Sequence, residues 1–148
     1  MSEYHKGSHT VYDIKYHFVW LTKYRYKILE GDLANRLREL IRQICESRKI
    51  KIIKGHLGKE HIHLLVAAPP NIAPCKIMQY IKGVSSRRIQ QEFPAIRKRY
   101  WGQHIWAQGY FCATSGTVTD EMIKLYIENQ KLEGPTDNFS IVGENPST

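Results

Sequence analysis

No apolar run in the 148 residues exceeds a handful of positions, whereas a membrane-spanning helix needs about 20. The first residues, "MSEYHKGSH", contain no hydrophobic signal core. A cytoplasmic chain is the expectation. Cysteine is scarce as well. Cys45, Cys75 and Cys112 are odd in number and far apart, which excludes a disulfide framework and a Cys-x-x-Cys metal knuckle and leaves them as small core residues. There is no repeat and no low-complexity tract, and a chain of this length is expected to fold as a single domain, 1–148, with a polar, flexible tail from about 135 to 148. Acidic residues are in deficit, 14 Asp and Glu against 22 Lys and Arg, a formal net charge of +8. Such a surface attracts polyanions.

The positive charge is clustered. "KYRYK" (Lys23 to Lys27), "SSRR" (Ser85 to Arg88) and "RKRYW" (Arg97 to Trp101) each combine cations with aromatics or hydroxyls, a mixture that suits phosphates and unstacked bases. Lys23, Arg25, Lys27, Arg87 and Arg88 are the candidate phosphate contacts, and Trp101 is the candidate stacking residue. A merely solvated basic face is the plainer reading of any one cluster.

Residues 10–22, "TVYDIKYHFVWLT", alternate with period two and predict a long strand with one buried face. After Gly31 and Asp32, Leu33, Leu37, Leu40, Ile41 and Ile44 recur at helical spacing and predict an amphipathic helix ending near Ser47. "KIKIIKGHL" and "HIHLLVAA", separated by "GKE", predict a hairpin stopped by a double proline. A second helix is predicted from Pro74 to "EFP" at 92–94, followed by a basic loop. "IWAQGYFCAT" (105–114) predicts a fourth strand. Thr117 and Asp120 give a capping-box-like start to a last helix, "DEMIKLYIENQKLE", closed by Gly134 and Pro135. The order β-α-β-β-α-β plus a helix predicts an α+β, ferredoxin-like (RRM-like) split βαβ fold. Its four-stranded antiparallel sheet would carry helices on one face and leave the other free.

"HIHLLVAAPP" begins with His61 and His63. Alternate residues on a strand share a face, with Cα atoms about 6.6 to 7 Å apart, so both imidazoles can reach one cation from the free face while Ile62, Leu64 and Val66 enter the core. Two imidazoles leave a cation under-ligated. Tyr126 and Gln130, four apart on the last helix, lie one above the other. Gln130 could offer an amide oxygen to the metal and Tyr126 a hydroxyl beside it, with Ile123 and Ile127 anchoring the neighbouring face. A phenol, pKa near 10, attacks a phosphodiester only with help in losing its proton and a cation drawing charge from phosphorus. His56 is a rival third ligand, which would favour a closed zinc site. An open, oxygen-rich shell would favour Mg²⁺ or Mn²⁺. Each of these residues also has a plain role open to it, in packing, on the surface or in strand hydrogen bonding.

Taken together and in order, "FVWLTKYRYKIL", "EHIHLLVAAPP", "IKGVSSRRIQQEFP", "YWGQHIWAQGYFCATSG" and "TDEMIKLYIENQ" closely resemble the small single-tyrosine HUH transposases of bacterial and archaeal single-strand insertion sequences, the TnpA type. The resemblance runs from about Tyr12 to Gln130. It implies His61 and His63 as ligands of a divalent metal, Gln130 as third ligand and Tyr126 as nucleophile. It further implies single-stranded DNA with hairpins at the element ends as partner, a 5′-phosphotyrosine intermediate, and a homodimer whose active sites are shared between subunits. Ser115 and Lys59 depart from the expected valine-like residue and proline, which touches local loop shape and not the chemistry. A non-catalytic hairpin-binding module that keeps the fold is the alternative from another class. A water-using nuclease, which would leave no protein–DNA adduct, is a third.

Overall fold

The computed structural model describes residues 5–6, 11–114 and 120–129. Gln130, Ser115, Thr117 and the 135–148 tail lie outside the described residues. No helix among the described residues is long and apolar enough to cross a membrane.

The predicted long first strand is broken in two. Val11–Tyr12 (β2) pairs with His5–Lys6 (β1) in a small ribbon, and only Lys15–Leu21 (β3) enters the main sheet. Asp13, a poor strand former, sits at the break with its carboxylate tied to Lys15 Nζ at 2.8 Å. Helix α1 (Gly31–Ser47) buries Leu33, Leu37, Leu40, Ile41 and Ile44 as their spacing predicts. It ends in a Schellman turn, with Lys49 left-handed at φ 59°. Lys49 N–H donates to Glu46 O and Ile50 N–H to Cys45 O.

The hairpin forms from Lys51–Leu57 (β4) and His61–Ala67 (β5), and α2 (Pro74–Glu92) follows. The basic segment is not a loop. Pro94 occupies the first turn of a short helix, α3 (Pro94–Arg99), and the helix-forming Ala95, Arg97, Lys98 and Arg99 continue it. The predicted fourth strand shrinks to Phe111–Ala113 (β6). Lys82 Nζ binds Ala107 O at 2.8 Å and Gly109 O at 3.0 Å, and Gly109 is left-handed at φ 88°, so this stretch leaves the ladder before it can run as a strand. Helix α4 spans Asp120–Asn129.

The main sheet has the order β4-β5-β3-β6 with every pair antiparallel. Each α-helical crossover skips one strand, as in a ferredoxin-like split βαβ fold. Phe18, Trp20, Ile62, Leu64 and Val66 pack with the apolar stripes of α1 and α2 in a single core. Ser85 and Ser86 are buried against that core, and their hydroxyls are taken up by internal hydrogen bonds. Ser85 Oγ accepts from Trp106 Nε1 at 3.0 Å, and Ser86 Oγ accepts from Ile105 N at 3.2 Å. Of the cysteines only Cys45 is a core residue; Cys75 is exposed.

Candidate active site

Pairing register decides which side chains share the second face of the sheet. His61 stands opposite Leu21, His63 opposite both Val19 and His56, and Val19 also opposite Phe111. Opposed residues on antiparallel strands point the same way, so His17, His56, His61 and His63 rise from one face. β4 contributes His56 through a bulge: Ile52 pairs with Val66 but Lys54 with Leu65, leaving Ile53 unopposed and 43 % exposed. The extra residue moves Lys54 and His56 onto the histidine face.

Three of the four imidazoles, those of His17, His61 and His63, are held by a hydrogen bond. His61 Nδ1 donates to Glu60 Oε1 at 2.8 Å, which turns Nε2 outward as a lone-pair donor. Burial opposes the charge on Glu60, yet its hydrogen bonds from His61 and the backbone, with the charges of His61 and Arg25, outweigh burial and hold its pKa below the usual carboxylate range. His63 Nε2 and His17 Nδ1 share one proton at 3.3 Å. Burial lowers the pKa of both, and for His63 the neighbouring His17, His56, Lys54 and His61 lower it further. Neutral imidazole is the form that binds a metal. The ring of His61 lies against Gly58, where a Cβ would fall 2.2 Å from His61 Cε1.

These residues border a groove of about 740 Å³ lined by Arg25, Lys54, His56, His61 and His63 from the sheet side and by Ile123, Lys124, Ile127 and Glu128 of α4. Tyr126 is not in that lining. Its ring packs against Phe111 at 5.7 Å, and burial pushes its phenol up to about 12. Arg25 reaches the groove from a strained turn in which Tyr24 and Arg25 are both left-handed, at φ 62° and 54°, conformations that cost of order 1 kcal/mol each or more. Thr22 Oγ1 donating to Tyr26 O, Tyr100 Oη donating to Lys23 O, and stacking of Tyr24 on Tyr100 hold that turn.

The donor chemistry suits a divalent cation only in part from this face. Among the described residues no group of three or more His, Cys, Asp or Glu side chains is arranged to hold a metal. Two imidazoles facing an open groove leave further positions for oxygen ligands, which fits an open site better than closed zinc.

Residues 10–130 match the family described as "Transposase IS200 like". The chain is 33% identical over 128 residues to the ISDra2 transposase TnpA of Deinococcus radiodurans, covering 86% of this chain and 91% of that one. It is 31% identical over 126 residues to the IS200 transposase of Salmonella typhimurium, covering 85% and 82%. The chain belongs to the IS200-like transposase family. Its fold agrees with a solved Deinococcus radiodurans R1 protein assigned as a transposase, at TM-score 0.79 and 32% identity over 85% of this chain and 97% of that one. A REP-associated tyrosine transposase bound to a REP hairpin shares the fold alone, at TM-score 0.53 and 17% identity over 86% and 67%.

Within this transposase the other candidate contacts are dispersed. Lys27 is exposed, Arg87 is exposed on α2 and Trp101 is 72 % exposed. Lys23 lies 5.5 Å from the Tyr24 ring. Arg88 is bound to Glu92 at 3.1 Å, and Glu92 in turn holds Arg36 of α1 at 2.6 Å, so Arg88 joins an ion network between helices. Two site residues escaped the sequence reading, His17 and Glu60. His17 shares the alternate face of β3 with Val19, and Glu60 directly precedes the histidine pair, so strand parity and adjacency were the available signals.

Proposed function

We propose that this transposase cuts and rejoins single-stranded DNA at hairpin-marked element ends through a covalent bond between Tyr126 and a 5′ phosphate. His61, His63 and Gln130 would hold Mg²⁺ or Mn²⁺. A divalent cation there supplies Lewis-acid polarisation of the scissile phosphate. Glu60 keeps His61 in one tautomer, and Arg25 meets the phosphate's negative charge from its rigid turn. The Tyr126 oxygen attacks phosphorus, the P–O3′ bond breaks, the phenolic proton is lost and the 3′ oxygen leaves as a hydroxyl. The ester conserves the energy of the broken bond, so the reverse reaction joins new ends without ATP.

One observation carries this reading: His61 and His63 face an open cationic groove, while Tyr126 on the adjoining α4 packs against Phe111 and outside that groove. That placement supports a homodimer in which one protomer's Tyr126 serves its partner's histidines. The hairpin in the solved REP-associated relative supports hairpin DNA as the ligand.

Incubation with a single-stranded hairpin substrate and Mg²⁺ should give a complex that survives denaturation. Tyr126→Phe should give none while still binding the hairpin. Hairpin binding by the wild type without any adduct would favour the non-catalytic module. Mixing Tyr126→Phe with a His61→Ala, His63→Ala double variant should restore cleavage after subunit exchange. No rescue with heterodimers present would mean that each chain uses its own helix.

A further inference from the structure

A second groove, of about 660 Å³, lies on the helical side of the molecule. It is lined by Ser86, Arg87, Gln90 and Gln91 of α2 and by Arg97, Gln103 and His104 around the turn after α3. The histidine groove includes carboxylate Glu128, whereas the lining of this second groove contains none. Its walls are fixed: Gln90 Nε2 donates to Gln103 O at 2.7 Å and to Ser86 Oγ at 3.2 Å, and Ser86 Oγ also holds Ile105 N. Two guanidiniums and three carboxamides in one cleft match a phosphodiester flanking the edge of a base, since a carboxamide both donates and accepts.

An independent feature lies next to it in the chain. Trp101 and Gly102 are consecutive left-handed residues at φ 53° and 73°, and Gly102 itself lines the groove. They form the Schellman turn that closes α3, with Trp101 N–H donating to Lys98 O at 3.1 Å and Gly102 N–H to Arg97 O at 2.9 Å. That turn fixes the backbone of Trp101 one residue from the groove wall, and the residue itself is 72 % exposed. A solvent-facing indole beside arginines is the arrangement that stacks unpaired bases.

We infer that this groove is a binding site for an unpaired nucleotide of single-stranded DNA, separate from the histidine groove. Arg87 and Arg97 hold the phosphates, Gln91 and Gln103 meet the base edge, and Trp101 stacks on the adjoining base. This deepens the strand-transfer reading by giving the single-stranded flank of the substrate its own seat.

The test is fluorescence anisotropy on the full chain in excess chelator, with a blunt hairpin and with the same hairpin carrying a mixed-sequence single-stranded flank. Trp101→Ala and the pair Arg97→Ala, Gln103→Ala should each weaken the flanked DNA by about tenfold, the size of one base–aromatic stack. Blunt hairpin affinity should hold. An Arg38→Ala, Arg42→Ala pair on α1, away from this groove, serves as the charge control. The flanked DNA should also quench the emission of Trp101, read as the difference between wild type and Trp101→Phe. Unchanged affinity for flanked DNA, or equal loss on both DNAs, would overturn the site. Because no cleavage is needed, failure of wild-type adduct formation in Mg²⁺ would count against the strand-transfer reading and leave this result intact.

Discussion

On one face of the sheet Phe18, Trp20, Ile62, Leu64 and Val66 are at most 3 % exposed, while on the other His17, His61 and His63 alternate with them along the same strands and stay half-buried. Adjacent residues of one strand thus answer to different constraints. The core face needs apolar volume and tolerates exchange of similar shapes. The histidine face needs particular atoms in particular places, each supported by a neighbour such as Glu60 or Gly58.

The sharpest way to break the comparison is a residue-by-residue scan through β5. His61→Ala or His63→Ala should abolish cleavage and the covalent adduct while hairpin affinity stays within about threefold, because positioning contacts come from elsewhere. Full cleavage by either variant in a gel assay, or by wild type in excess chelator, would remove the metal role. Between them, Ile62→Ala should cost about 2 to 5 kcal/mol in chemical denaturation, the range for a large core truncation. Its cleavage per folded molecule should be close to wild type.

A subtler test keeps every functional side chain. In Gly58→Ala the new methyl displaces the His61 ring, and cleavage should fall by about tenfold or more, as misplaced catalytic groups do. Hairpin affinity should stay within about threefold of wild type, as for His61→Ala. If hairpin binding fell together with cleavage, Gly58 would act by another route.

The smallest effect is one of pH. Burial raises the phenol of Tyr126 to about 12 and raises that of Tyr100 also. In both the neutral form is favoured in the fold, so their stabilisation is complete below the ordinary phenol pKa of about 10 and is lost as pH rises above it. Thermal melts should therefore decline above pH 10, and Tyr126→Phe should soften the decline. An identical slope in the variant would argue that Tyr126 is more exposed than it is here.

The apolar face was the more legible of the two. Period-two and helical spacing place Phe18, Trp20, Leu37 and Ile62 correctly, because burial acts on residue type alone. His61 and His63 were legible for the same reason of parity. Their supports were not, since His17 meets His63 only through strand pairing 46 residues apart. Ser85 and Ser86 misled because hydroxyls beside arginines suit a phosphate, and only the fold sets Trp106 and Ile105 against them. The basic segment misled because "EFP" read only as the end of α2, whereas Pro94 and the good helix formers after it open a second helix, Pro94–Arg99. Gln130 lies outside the described residues, and its role rests on spacing and resemblance.

The unopposed Ile53 in β4 has a consequence for how this hairpin can change length. Removing Ile53 itself restores simple alternation: Ile52 and Lys54 become neighbours, each keeps its partner, Val66 and Leu65, and Lys54 and His56 stay on the histidine face. Removing a second residue between Ile53 and His56 would turn His56 toward the apolar interior, where an imidazolium would have no counter-charge. The strand can therefore lose one residue ahead of His56 and not two, and a single residue with no cross-strand partner sets that arithmetic.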